Sequence, residues 1–114
     1  MTKRLGEFEQ LLLFAVLRLD DEAHGATIRR VIEERTGREV SPGAVYTVLN
    51  RLESHDLVSS EISETTPERG GRRRKLYRLE PAGALALKRA YGALQGMAEG
   101  TLADLTELAA EAGS

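Results

Sequence analysis

Apolar residues recur at helical spacing in two segments near the start of the chain. The first, residues 8–19, is apolar almost all round, a pattern that predicts a buried helix. The second, residues 25–36, has Ile28 and Ile32 on one face and is followed by Gly37, a residue suited to ending a helix. The hydrophobic pattern therefore predicts two packed helices before residue 40.

A third helix has the clearest start signal in the chain. Ser41 can accept a hydrogen bond from an unpaired amide of the first turn, and Pro42 suits the first helical position. One face of this helix is apolar, with Val45 and Leu49 at its centre. The other face carries small or hydrogen-bonding side chains: Gly43, Tyr46, Thr47, Asn50, Arg51 and Ser54.

The period changes from helical to alternating at residue 58. Apolar and polar residues alternate over residues 58–63 and again over residues 76–79, which predicts two strands. Between them lie residues 64–73, with the turn-forming residues Pro67 and Gly70. The pattern predicts a hairpin with a long tip, which must pack on the helices because a bare hairpin is marginally stable.

Pro81 opens the last helical segment, whose apolar residues follow alternating steps of four and three, the seam of a coiled coil. Glycines fall every four residues along it, at Gly92, Gly96 and Gly100. Each costs about 1 kcal/mol relative to Ala in a helix interior. Either they allow close approach by a partner helix, or they mark a kink or break.

Composition describes one folded domain with an aliphatic core. The 114 residues are 41% hydrophobic and only 4% aromatic. Cysteine is absent, which excludes disulfides, thiolate metal sites and cysteine nucleophiles together. The longest apolar run, residues 11–17, is too short to span a bilayer, and no signal-peptide pattern is present. We therefore expect a cytoplasmic protein.

The net charge of −2 conceals a strongly basic segment. Six of the sixteen cations lie between Arg69 and Arg78, with no carboxylate among them. Like charges this close repel, so the segment is either a solvated loop or a site for an anion. Its place between two strands favours the anion, and DNA would relieve the repulsion through counterion release.

The order of elements is helix, helix, helix, hairpin with a basic loop, then helix. This is the layout of a winged helix-turn-helix, in which the third helix enters a major groove and the hairpin, or wing, follows the flanking backbone. The predicted fold is mainly α with a small β-hairpin. Residues 1–80 form the predicted DNA-binding domain, and residues 81–114 form a C-terminal dimerisation helix.

The third helix supplies the predicted contacts to DNA. Ser41, Pro42 and Gly43 form its amino end, whose exposed amides can hold a phosphate. Thr47 can contact a thymine methyl, and Asn50 can bond adenine bidentately. These two residues are therefore the predicted base readers.

Two residues of the same helix have alternative roles. Tyr46 either faces the DNA or packs its ring under the helix, so that only its hydroxyl reaches a phosphate. Arg51 either contacts a phosphate or bridges Glu53 or Glu34. The predicted wing contacts are Arg69, Gly71, Arg72, Arg73 and Arg74.

The motifs Ser41-Pro42-Gly43-Ala44-Val45-Tyr46 and Gly70-Gly71-Arg72-Arg73, in this order, resemble the PadR family of bacterial transcriptional regulators. The resemblance covers roughly residues 5–90. It implies a homodimeric winged-helix transcription factor, usually a repressor, whose C-terminal helix pairs the subunits. It also implies that Ser41, Gly43, Tyr46 and Thr47 face the operator and that Arg72, Arg73 and Arg74 contact DNA from the wing.

Candidate dimer contacts follow from the apolar stripes of the first and last helices. They are Phe8, Leu12, Leu87, Tyr91, Leu94 and Leu105, with the alternative that Phe8 and Leu12 belong wholly to the core. His24 departs from the family pattern, in which Tyr often stands before the helix-opening Gly25, and we interpret it as a local capping residue. The chain has no Trp, so composition does not support a stacking pocket for flat ligands.

Other function classes fit less well. No nucleophile, phosphate-cradle or metal-ligand motif accompanies the two histidines, so we expect neither an enzyme nor a metal or cofactor site. The alternative is an antitoxin-like interaction module that uses the C-terminal helix and the basic loop. The sequence leaves open whether a small-molecule effector releases the DNA.

Overall fold

The computed structural model describes residues 4–63 and 73–113. Within these residues the chain forms five α-helices and a two-stranded sheet, which confirms the predicted fold class. The elements are α1 (Glu7–Leu19), a 3-10 turn (Asp20–Glu22), α2 (Gly25–Thr36), α3 (Pro42–Ser54), β1 (Val58–Ile62), β2 (Lys75–Leu79), α4 (Pro81–Ala98) and α5 (Leu102–Ala110).

Local signals set the turn between α2 and α3 as the sequence predicts. Gly37 ends α2 in the left-handed conformation, at φ +70°, and its amide donates to the Glu33 carbonyl at 2.9 Å. The Ser41 hydroxyl then accepts a hydrogen bond from the Ala44 amide at 3.1 Å and caps α3. This short turn fixes α3 against α2.

The wing is an antiparallel pair that is held to the helices at its base. Val58 faces Leu79 and Ile62 faces Lys75 across the two strands. Tyr77 is buried in the core, and its amide donates to the Ala23 carbonyl at 2.8 Å. The second strand is therefore attached directly to the chain that enters α2.

The core lies between α1, α2, α3 and the inner side of the wing. Leu12 is 0% exposed and Leu87 is 3% exposed within the single chain, so neither offers side-chain surface to a second subunit. Leu12 therefore takes the core role that was its alternative, and Leu87, predicted as a dimer contact, is likewise a core residue of the single chain. Phe8 is half-buried and packs against the core, with the Arg38 guanidinium 5.5 Å from its ring centre.

The start of α4 lies directly against the backbone between α3 and β1. The Glu80 amide donates to the Leu57 carbonyl at 3.0 Å. A Cβ built on Gly83 would lie 2.1 Å from the same carbonyl oxygen and 2.9 Å from its carbon. Only glycine lets the helix approach this closely, because the obstructing atoms belong to the backbone.

Replacing Gly83 with Ala should destabilise the fold by about 2–4 kcal/mol, because α4 or Leu57 must shift to accept the methyl group. The melting temperature should fall by roughly 10–20 °C. Gly43→Ala is the matched control: nothing lies within 4 Å of the added Cβ, so stability should hold or rise slightly. An unchanged melting temperature for Gly83→Ala would contradict the close contact.

The C-terminal segment, whose continuity the sequence leaves open, forms two helices. α4 continues through Gly92 and Gly96 and ends before Gly100, which has φ +81° and lies between α4 and α5. A Cβ at Gly92 or Gly96 would meet no atom of the described chain within 4 Å. No helix in the described part of the chain is long and apolar enough to cross a membrane.

Candidate nucleic-acid interface

The outward side of α3 is solvent-exposed along its whole length. Within this side Gly43 leaves open space, since an added Cβ would meet nothing within 4 Å. Hydrogen-bonding groups of Thr47 and Asn50 are available to a ligand on the same side. The exposed members of the predicted set are Ser41, Pro42, Gly43, Tyr46, Thr47, Asn50 and Arg51.

Tyr46 contacts the start of α2 while remaining 48% exposed. A Cβ built on Gly25 would lie 2.9 Å from the Tyr46 hydroxyl oxygen and 3.0 Å from the ring carbon that carries it. Gly25 leaves room for the tip of the tyrosine, which a larger residue would have to displace. The tip of the side chain rests on α2, and the rest of the ring faces solvent.

Arg51 pairs with a residue that neither alternative named. Its Nε atom lies 3.5 Å from Oε2 of Glu9 in α1, and the Glu9 side chain is only 8% exposed. The Glu9 Oε1 atom also accepts from the Gly6 amide at 2.8 Å. The prediction that Arg51 bridges Glu53 or Glu34 is wrong, because Arg51 connects α3 to α1.

Glu53 instead connects α3 to both strands of the wing. Its Oε1 atom lies 3.4 Å from the Lys75 Nζ atom in β2. Its Oε2 atom accepts a hydrogen bond from the Ser60 hydroxyl in β1. A single carboxylate therefore contacts both strands of the wing from the third helix.

The described part of the wing presents three cations of the basic segment to solvent. Arg73 and Arg74 are exposed before β2, and Arg78 is exposed within it. The Arg74 amide donates to the Ser63 hydroxyl at 3.1 Å, and the Ser63 amide donates to the Arg74 carbonyl at 2.8 Å. The remaining predicted wing contacts, Arg69, Gly71 and Arg72, lie outside the described residues.

The exposed side of α3 and the wing meet at the residue before α2. The Arg74 Nη1 atom lies 3.4 Å from the Nε2 atom of His24. Next to His24, Gly25 receives the tip of Tyr46. His24 and Gly25 therefore receive one contact from the wing and one from α3. The sequence around His24 predicts only the start of a helix.

The pKa values of His24 and of the buried Tyr77 shift in opposite directions. Burial, then the positive charges of Arg74 and Arg30, lower the pKa of His24, and Glu22 opposes them. Burial, then Glu53 and Tyr46, raises the pKa of Tyr77 to about 12, so Tyr77 is neutral near pH 7. Tyr77 is a core residue, whereas His24 is only partly buried.

The described residues contain no group of three or more His, Cys, Asp or Glu side chains that could hold a metal ion. An apolar groove of about 540 Å³ lies between α1 and α2, with Tyr91 of α4 at one side. Its walls include Leu11, Phe14 and Val31, and it carries the guanidinium group of Arg35. The groove lies apart from His24 and from the wing.

Known proteins resemble this chain in sequence. The model of the "transcriptional regulator PadR-like family" matches residues 13–89. The transcriptional regulator Rv3488 of Mycobacterium tuberculosis is 40% identical over 83 residues, which make up 73% of each chain.

Two solved structures extend the comparison to the fold. A PadR family transcription regulator from hypervirulent Clostridium difficile has a TM-score of 0.68 and 26% identity, covering 86% of this chain and 98% of that one. A winged-helix DNA-binding protein from STIV has a TM-score of 0.67 and covers 86% of this chain and 98% of its own, at 14% identity, which is a likeness of fold alone. The matched segment takes in the third helix, the wing and the start of α4, and the relatives are transcriptional regulators and not enzymes. The chain belongs to the transcriptional regulator PadR-like family.

Proposed function

We propose that this chain is a sequence-specific regulator that binds double-stranded DNA in the cytoplasm and acts as a repressor. The observation that carries the proposal is the meeting of α3 and the wing at the start of α2. Tyr46 from α3 contacts Gly25, and Arg74 from the wing contacts the adjacent residue, His24. One duplex can therefore contact the polar side of α3 in its major groove and the wing on its flanking backbone.

Thr47 and Asn50 are the base readers of this proposal. Both are exposed near the middle of α3, where a recognition helix approaches base edges. Ser41 and Gly43 lie at the exposed amino end of the same helix and would approach a phosphate. Arg51 is a further candidate for a phosphate contact, because its side chain is 49% exposed beside its approach to Glu9.

A homodimer is the second element of the proposal. Beyond Tyr91, the apolar residues of α4 and α5 are exposed in the single chain; Leu94 is 64% exposed and Leu105 is 60% exposed. Exposed apolar rows of this length mark an association surface. Gly92 and Gly96 leave room for close approach by a second helix along the same part of α4.

An effector that releases the DNA remains an open part of the proposal. The groove between α1 and α2 has apolar walls, with Arg18 and Arg35 among its lining residues. This chemistry suits a small apolar anion. A thermal-shift screen with aromatic carboxylates is the direct search for such a ligand.

The experiment that tests the proposed function is selection of bound duplexes from fragments of the source genome. We expect recovered fragments to share a pseudo-palindrome with half-sites about 10 bp apart, or a multiple of that spacing, bound by two chains. Recovery of fragments with no common sequence would contradict sequence-specific binding. The antitoxin-like alternative predicts that no duplex is retained.

The dimer is tested on the same duplexes with Leu94→Asp. A charge in the exposed apolar row should prevent pairing, so that sedimentation detects one chain per particle and affinity for the two-half-site duplex falls. Lys88→Asp, which changes an exposed residue on the first half of α4, is the control. A Leu94→Asp chain that stays paired would place the subunit contact elsewhere.

A further inference from the structure

A cluster of cationic and hydrogen-bonding side chains surrounds the residue before α2. It consists of His24, Arg30, Arg74 and Tyr46, which we call the junction cluster. The Nε2 atom of His24 lies 3.4 Å from the Arg74 guanidinium, and Arg30 of α2 acts on His24 electrostatically. The Tyr46 hydroxyl lies beside Gly25, the next residue along the chain. Three elements thus converge here: the wing, α2 and α3.

The charges that face His24 are mostly of one sign. Arg74 approaches from the wing and Arg30 from α2, while Glu22 in the 3-10 turn before α2 opposes them. Tyr46 is the titratable neighbour from α3. Two guanidinium groups against one carboxylate leave an excess of positive charge around a partly buried imidazole.

Neutral and protonated imidazole interact with this surrounding in opposite ways. In its neutral form, Nε2 can accept a hydrogen bond from the Arg74 guanidinium, which matches the observed pairing. When Nε2 is protonated it can only donate, so Arg74 must turn away and the two cations repel. A nearby anion removes this conflict, because it accepts from both groups at once.

We propose that the junction cluster binds a DNA phosphate and that His24 takes up a proton from solvent when it does so. The inference rests on the proposed DNA-binding function, since it needs a duplex against α3 and the wing. The proton adds to Nε2, and the new N–H donates to a phosphate oxygen. Arg74 turns from His24 to the same phosphate or its neighbour.

The sign of the linkage follows from the direction of the change. In the free chain, burial and the two arginines hold the pKa of His24 below its ordinary value of 6.5. A phosphate close to the ring would raise that pKa, because it stabilises the imidazolium ion. Where the bound form is protonated and the free form is not, DNA affinity rises as pH falls. Protonation stops adding affinity below the pKa of the free chain.

The test measures affinity of the full chain for a fluorescent mixed-sequence duplex of about 30 bp between pH 6 and pH 8 at constant ionic strength. A mixed sequence suffices because phosphate contacts carry no base preference. We expect affinity to rise roughly 10- to 100-fold for two subunits as the pH falls from 8 to 6. The His24→Gln variant should lose most of this rise. His55→Gln is the matched control, since His55 is the other histidine of the chain and follows the far end of α3.

Proton NMR of the wild-type imidazole gives an independent readout that does not depend on the variant folding. We expect the titration midpoint of the His24 ring to rise when duplex is added. The same midpoint with and without duplex would overturn the inference, as would a full pH dependence in His24→Gln. Duplex binding whose affinity stays constant from pH 8 to pH 6 would reject the phosphate site at His24 and leave the proposed function standing. Failure to bind duplex at any pH would reject both.

Discussion

Replacing Arg73 and Arg74 together with Ala should make DNA binding much less sensitive to salt. Each arginine that neutralises a phosphate releases a condensed counterion, and two arginines in each of two subunits make four such contacts. The slope of log affinity against log salt should become less negative by about 3.6, and affinity at physiological salt should fall roughly a thousand-fold. Fluorescence anisotropy with one duplex at several salt concentrations measures both quantities.

The control for this result is the double replacement of Lys88 and Arg89 with Ala. These two cations are exposed on α4 and change the net charge by the same amount, but they belong to no predicted contact with DNA. We expect their slope to stay close to that of the unchanged chain. If both double variants shifted the slope equally, the wing would be acting through net charge and not through contacts.

Replacing Asn50 with Ala should reduce operator affinity while sparing binding to unrelated duplex. A bidentate contact between an amide side chain and adenine contributes about 1–3 kcal/mol of discrimination, and two half-sites double that amount. The operator should therefore bind at least about 30-fold more weakly. Competition between labelled operator and unlabelled random duplex separates the loss of specificity from a general loss of affinity.

Ser54→Ala is the matched control on the same helix. Ser54 is exposed, but its hydroxyl already donates to the Arg51 carbonyl at 2.7 Å within α3. Its removal should leave operator binding almost unchanged. Equal losses for operator and random duplex in Asn50→Ala would instead assign Asn50 to the phosphate backbone.

The sequence predicts the helices and the wing well because their signals are local. The end of α2 depends on Gly37, and the start of α3 depends on Ser41 and Pro42, which act through bonds within one turn. The change from helical to alternating period likewise needs no information from distant residues. The two strands could therefore be assigned from the sequence alone.

Predictions that depended on packing were less successful. Leu87 follows the same apolar seam as Leu94 and Leu105, yet it is buried while those two are exposed. The first part of α4 packs on its own domain, whereas the residues of the same apolar stripe further along are exposed to solvent in the single chain. Spacing alone cannot show where one surface ends and the other begins.

Side-chain contacts between distant parts of the chain could not be predicted from the sequence either. Arg51 was expected near Glu53 or Glu34, but Glu9 is 42 positions away in the chain and is brought to Arg51 by the packing of α1 on α3. His24 gave no sign that Arg74 would contact it, because that contact joins residues 50 positions apart. The break before α5 depends on the backbone of Gly100, a residue that is also tolerated within helices.

The close contact between Gly83 and Leu57 couples the orientation of α4 to that of α3. The Leu57 carbonyl oxygen meets the first turn of α4, and the Leu57 amide donates to the Leu52 carbonyl in the last part of α3 at 3.0 Å. A tilt of α4 would therefore move α3 with it. In a pair of chains joined through their C-terminal helices, the crossing angle of the two α4 helices would set the distance between the two α3 helices. That distance would in turn set the operator length that the pair can span.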